Sequence, residues 1–184
     1  GLVDRAVVRI ITPGTLTQSE YIGNNSNNYL ASVYSAPFAA AVSFCDISTG
    51  EIFTTAFEGE ENTPASIINQ LAVYAPRELL VNAPIKSLPE IESYINTVLK
   101  CVVDDDRAEY FDYEKSVASL LESANETPDT LGISASSPIL PSLGALLAYL
   151  KETQKTELKN IRKINVYSQS AFLSIDAASR RSLE

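Results

Sequence analysis

The apolar positions change period twice along the chain. Arg5–Thr12 (RAVVRIIT) is β-branched and nearly continuous, which predicts a strand. Thr12-Pro13-Gly14-Thr15 then places Pro and Gly at the centre of a type II turn, and Gly23–Asn28 (GNNSNN) is a polar loop. Tyr29–Ser35, Ala39–Ile47 and Glu51–Phe57 are three further strand patterns, the last two joined by Ser48-Thr49-Gly50. Their short connections predict an antiparallel meander. The period then becomes helical. Thr63 as cap and Pro64 at the first position open a helix carrying Ile67, Ile68, Leu71 and Ala75, and Pro76 stops it. Glu78–Asn82 is a short buried-type strand. Ser87–Leu99 places Leu88, Ile91, Ile95 and Val98 on one helical face, and Cys101–Val103 is another short strand. Asp112 caps a helix whose stripe of Val117, Leu120, Leu121 and Ala124 is assigned to the core, with Glu114, Lys115, Ala118, Ser119 and Glu122 on its other face. Asn125–Ser137 reads as loop. Ser137-Pro138 opens the longest helical pattern, with Leu140, Leu143, Leu147 and Leu150 facing one way.

Three strands, then helix, strand, helix, strand, helix, imply a mixed sheet with helices on both faces. This is the order of a ribonuclease-H-like fold, an α/β three-layer domain. Beyond Lys155 the pattern turns extended again over Asn160–Tyr167 and Ala171–Ile175, as a short C-terminal extension. Asp176 then caps a helix from Ala177. A chain opening on Gly1 and closing within a helix is expected to be a segment of a longer protein.

Composition narrows the chemistry. The 184 residues contain no His, Met or Trp, so an imidazole base, a His ligand and a Ser-His-Asp triad are excluded. Cys45 and Cys101 are isolated, without a CxxC pair. That predicts free thiols in a reducing cytosol and a cytoplasmic protein, rather than a zinc cluster. No apolar run approaches the roughly 20 residues of a membrane span, so no membrane partner is expected. The formal charge of −9 is uneven: Gly1–Leu150 carries −12, and Lys151–Glu184 carries +3. An acidic body of this kind repels phosphate backbones.

Among candidate acids, Asp104-Asp105-Asp106 reads either as a divalent-metal site of a two-metal nuclease or as a solvated turn. Consecutive side chains do not converge, and Tyr29–Ser35 offers no acid, which favours the turn. Asp46, just before Ser48-Thr49-Gly50, reads either as a catalytic carboxylate of such a nuclease or, favoured, as a side chain that bonds its own turn amides. Neither GxxxxGK[ST] nor GxGxxG occurs, so no phosphate-cradling loop is expected. Lys151, Glu152 and Lys155 are spaced for pairing along one helix.

Six blocks in order carry a resemblance: VVRIITPGT (Val7–Thr15), NYLASV (Asn28–Val33), DISTGE (Asp46–Glu51), APRELL (Ala75–Leu80), LLAYLKETQK (Leu146–Lys155) and IDAASRRSLE (Ile175–Glu184). Together they resemble the bacterial mismatch repair MutS family; Ser179 and Ser182 stand where the common pattern has Thr and Asn. The resemblance implies residues 1–28 as a linker from a mismatch-recognition domain. It implies 29–157 as a non-catalytic, ribonuclease-H-like connector domain, and 158–184 as the start of a core or lever domain. It implies no catalytic, cofactor or metal residues in this stretch. ATP and magnesium would belong to an ATPase domain elsewhere in a homodimeric parent that binds mismatched DNA. A MutL-like protein is the implied partner, and Glu114, Lys115, Ala118, Ser119 and Glu122 are the expected docking face. The alternative is a metal-dependent nuclease of ribonuclease-H type.

Overall fold

The computed structural model describes residues 28–59, 63–153 and 163–168. The strand Arg5–Thr12, the turn and polar loop after it, and the elements expected from Ala171 onward lie outside these residues.

Among the described residues six strands form one sheet: β1 (Tyr29–Ala36), β2 (Ala39–Asp46), β3 (Glu51–Glu58), β4 (Glu78–Val81), β5 (Val102–Asp104) and β6 (Lys163–Val166), in the order β5-β4-β1-β2-β3-β6. The meander β1–β2–β3 is antiparallel, whereas β4 and β5 add in parallel beside β1. This is the ribonuclease-H-like arrangement the element order predicts. β6 adds in parallel to the outer edge of β3 (Ile52 opposite Ile164). The sheet thus takes in residues that the sequence assigned to the following region.

The central strands read as near-continuous apolar runs because both faces are covered. Ala31, Val33, Val42, Phe44, Leu79 and Val81 face helix α1 (Thr63–Tyr74) and helix α2 (Pro89–Tyr94). Leu30, Ala41, Cys45, Ile52 and Leu80 face the long helix α5 (Ile139–Thr153), whose Leu140, Leu143, Leu147 and Leu150 are all buried. Helix α3 (Tyr113–Ala124) packs on α5 from outside, and a one-turn helix α4 (Pro128–Leu131) links them.

Three expectations change. Val98 is 62% exposed, because α2 continues as a π-turn (Ile95–Leu99). The wider turn advances each residue by less than the α-helical angle, so Leu99 rather than Val98 follows Ile91 and Ile95 toward the core. The stretch Asn125–Ser137 contains α4. There Thr127 and Thr130 bond reciprocally as a capping box, and Gly132 closes the turn at φ 75°. The third change is the rotation of α3. Asp112 caps it as expected, accepting from the Lys115 amide at 2.9 Å, but Ser116 and Leu120 are the buried positions. Val117 and Leu121 point outward, 36% and 52% exposed. The cause lies at Gly144 of α5, where a Cβ would stand 2.6 Å from Ser116 Cα. Only a small residue fits that crossing, so the helix turns Ser116 inward and its larger neighbours out.

Candidate functional site

Among the described residues, two regions have enough convergent polar chemistry to be sites: the middle of the sheet beneath α5, and the outward face of α3 with the groove beside it.

In the sheet, one row of residues crosses neighbouring strands: Asp104, Leu80, Ser32, Ser43 and Thr54. Its centre is hydroxyl-lined and fully buried. Ser43 Oγ lies 2.8 Å from Thr54 Oγ1 and 2.9 Å from Ser142 Oγ of α5, while Thr54 Oγ1 donates to the Val42 carbonyl at 3.0 Å. Ser32 Oγ donates to the Ser142 carbonyl, and Ser142 Oγ lies 3.2 Å from the Ser32 carbonyl oxygen. Each hydroxyl has a partner, as burial demands. This hydroxyl centre of the row binds α5 to the sheet and holds no ionisable group, the carboxylate of Asp104 lying at the β5 end.

The acids considered for metal binding do not meet. Asp46 stands opposite Tyr29 on β2, whereas Asp104 lies on β5, three strands away. Three strand spacings amount to about 14 Å, far beyond a two-metal site. Asp46 instead accepts from the Ser48 amide at 2.9 Å and the Ser48 hydroxyl at 2.6 Å, the turn role expected of it. Asp104 takes Arg107 Nε at 2.7 Å, and Asp105 accepts from the Ile85 amide at 2.7 Å. Among the described residues no three metal-ligating side chains converge. Among the described residues Gly50, Gly59 and Gly132 sit singly in turns, not in a glycine-rich loop that opens a helix.

The second region is built from α3, α5 and the 3₁₀ turn Ala108–Phe111. A groove of about 410 Å³ runs between α3 and α5, with Ser119, Glu122 and Ser123 on one wall and Leu147, Ala148, Lys151 and Glu152 on the other. Lys151 Nζ reaches across to Glu122 Oε2 at 2.8 Å. At one end Arg107 lies over the rings of Tyr110 and Tyr149, 5.4 and 5.1 Å from their centroids, and bonds Asp104 at 2.7 Å and Glu152 at 2.9 Å. Tyr149 in turn donates to Glu78 of β4. Its phenol is pushed up to about 12, first by burial and then by that carboxylate. Lys151 and Glu152 both pair with neighbouring elements, and Lys155, the third residue of the expected helical spacing, lies outside the described residues. Arg107 went unremarked in the sequence. Its signal was a lone cation among four acids with Tyr110 one helical turn on, but its partner Glu152 is 45 positions away.

Of the expected docking residues, Glu114, Lys115, Ala118 and Glu122 are exposed, and Ser119 is half-buried against α5. Val117 and Leu121, which the sequence placed in the core, join them on the outside, one helical turn apart. The surroundings are acidic: from Asp104 to Gly132 nine carboxylates face two cations, a balance of −7. No helix among the described residues is long and apolar enough to cross a membrane.

Residues 28–162 match the family model described as MutS domain II. The chain is 35% identical, over its full length, to the DNA mismatch repair protein MutS of Caldanaerobacter subterraneus subsp. tengcongensis, of which it covers 21%. It is 34% identical to the MutS of Ruminiclostridium cellulolyticum, again over its whole length and 21% of that protein. With the MutS of Clostridium botulinum (strain Hall) it shares 36% identity, over all of this chain and 19% of the relative. The chain thus spans about a fifth of the length of the curated relatives it matches. A match covering most of the chain and this level of identity along its whole length mean that it belongs to the MutS family, as its domain II.

Proposed function

We propose that this chain is a non-catalytic connector in a DNA mismatch repair ATPase. It couples mismatch recognition to an ATPase core and docks a MutL-like protein on the outward face of α3. The whole protein, in this reading, binds mismatched DNA, acts as a homodimer in the cytoplasm, and holds ATP and magnesium outside this chain.

The observation that carries the docking reading is the outward face of α3. Val117 and Leu121 lie exposed beside Glu114, Ala118 and Glu122. An apolar pair ringed by charged residues is the make-up of a small protein interface, with a core that excludes water and a polar rim. The acidic surroundings call for a cationic partner surface and repel DNA backbone. The buried hydroxyl row supports the non-catalytic reading, since a nuclease of this fold needs carboxylates converging near the sheet centre.

The test is Glu114→Lys combined with Leu121→Asp in the full-length protein. Both side chains are exposed, so folding should be unaffected. MutL recruitment to mismatch-bound protein should fall at least tenfold, with mismatch binding and basal ATP turnover retained. Unchanged recruitment would remove α3 as the docking face.

A further inference from the structure

We propose that residues 163–167 are a fixed anchor. They lock the chain that follows the sheet onto β3 and α1, so that displacement beyond Ser168 is delivered to the sheet edge rather than absorbed by a joint. What the anchor transmits rests on the connector reading above; the anchor itself rests on geometry alone.

Four residues of pairing would make a weak edge strand. β6 is held by more than its ladder. Ile164 is 9% exposed and enters the core beneath α5. On the opposite face Tyr167 reaches the aromatic cluster beside α1, its ring 6.4 Å from that of Tyr74. Tyr74 in turn stacks on Phe44 at 4.1 Å and meets Tyr29 edge-on at 5.2 Å. The strand is thus pinned through both layers of the domain. Polar bonds fix its register. Asn165 Nδ2 donates to the Ile52 carbonyl at 2.9 Å, and the Tyr167 amide donates to the Thr54 carbonyl at 3.0 Å. Thr55 Oγ1 donates to the Tyr167 carbonyl at 2.6 Å, and the Tyr167 hydroxyl donates to Gln70 Oε1 of α1 at 2.6 Å. Thr55 and Gln70 are 1% and 2% exposed, so their polar atoms depend on these bonds rather than on water. A one-residue slip would exchange the two faces, withdrawing Ile164 and Tyr167 together. A joint would instead show exposed backbone bonds and few buried contacts.

The test is hydrogen exchange on the full-length protein, read on peptides covering 163–167 and on peptides from β1, β2 and β3. In the wild type the 163–167 amides should exchange within tenfold of those of β3; exchange a hundredfold faster would overturn the anchor. Tyr167→Ala should accelerate exchange at 163–167 at least tenfold and leave β1 and β2 unchanged. Should that variant loosen the whole sheet, Tyr167→Phe keeps the ring, loses the hydroxyl's bonds to Gln70 and Tyr74, and should give a several-fold acceleration confined to 163–167. No local acceleration in either variant would overturn the proposal. Accelerated exchange with mismatch-stimulated ATP turnover unchanged would leave the anchor standing and count against the connector reading.

Discussion

Gly144 has no room for a methyl group. A Cβ there would lie 2.0 Å from Ser116 Oγ, 2.3 Å from its Cβ and 2.6 Å from its Cα. A rotamer change could clear the hydroxyl, but the Cα belongs to the backbone of α3, and Ser116 is itself held by a bond from its Oγ to the Asp112 carbonyl at 2.6 Å. Helix propensity alone favours Ala over Gly by about 1 kcal/mol. The overlap reverses that sign, because α3 must lift off α5 to relieve it. Gly144→Ala should therefore destabilise the domain by about 3 kcal/mol, at the upper end for an overpacked core, measured by denaturant unfolding. A neutral or stabilising result would mean that α3 is not seated as described. Ser116→Gly in the same chain should recover part of the loss.

At the scale of elements, Arg107 joins what the chain keeps apart: β5 through Asp104, the 3₁₀ turn through Tyr110, and α5 through Tyr149 and Glu152. Its side chain is 27% exposed, so water screens the pairs only partly. Arg107→Ala should cost about 1–2 kcal/mol in an unfolding titration, the scale of charge-assisted bonds plus ring contacts at a half-exposed site. Arg107→Lys should recover less than half of that, since an ammonium cannot serve both carboxylates and both rings. Equal stability of all three proteins would reduce the cluster to surface decoration. The sequence shows such elements unevenly. β1 to β4 were legible to within a residue or two, because strands covered on both faces must be apolar at successive positions. The caps at Asp112 and Asp46 were legible because they are local bonds. The rotation of α3 was not, because it depends on the absence of a side chain at Gly144, 28 positions from Ser116. Nor was the place of β6, since parallel pairing to β3 joins residues more than a hundred apart and leaves no periodic trace. The expected docking face inherits this error: Glu114, Ala118 and Glu122 are exposed as their spacing predicts, while Val117 and Leu121, assigned to the core, stand outside on the same helix.

The molecule as a whole buries protonated thiols and phenols on both sides of its sheet, and this sets its limit in base. Burial, with Asp46 a lesser cause, pushes Cys45 up to about 12 from an ordinary 9.0, and Cys101 rises to about 11, again chiefly through burial. Burial likewise carries Tyr74 to about 12 from 10.0, and the Tyr167 phenol is raised in the same direction. In each case the folded state holds its proton to higher pH than the unfolded chain does. Between the unfolded and folded values the unfolded chain binds fewer protons, so stability falls as pH rises. The contribution is fully present below about 9 and begins to be lost as the unfolded thiols and then the unfolded phenols ionise; the part due to Cys45, Cys101 and Tyr74 is gone once pH passes about 12. Denaturant midpoints should therefore be level between pH 7 and 8.5 and decline steadily above pH 9. Cys45→Ala should remove part of the decline between pH 9 and 10, where the unfolded thiol ionises, and leave the later, tyrosine-driven fall in place. The same burial should keep Cys45 inert to thiol reagents at pH 8 until the chain is unfolded. Midpoints that stay constant to pH 11, or rapid labelling of Cys45 in the native protein, would show that this side of the sheet is open to water and that α5 does not cover it.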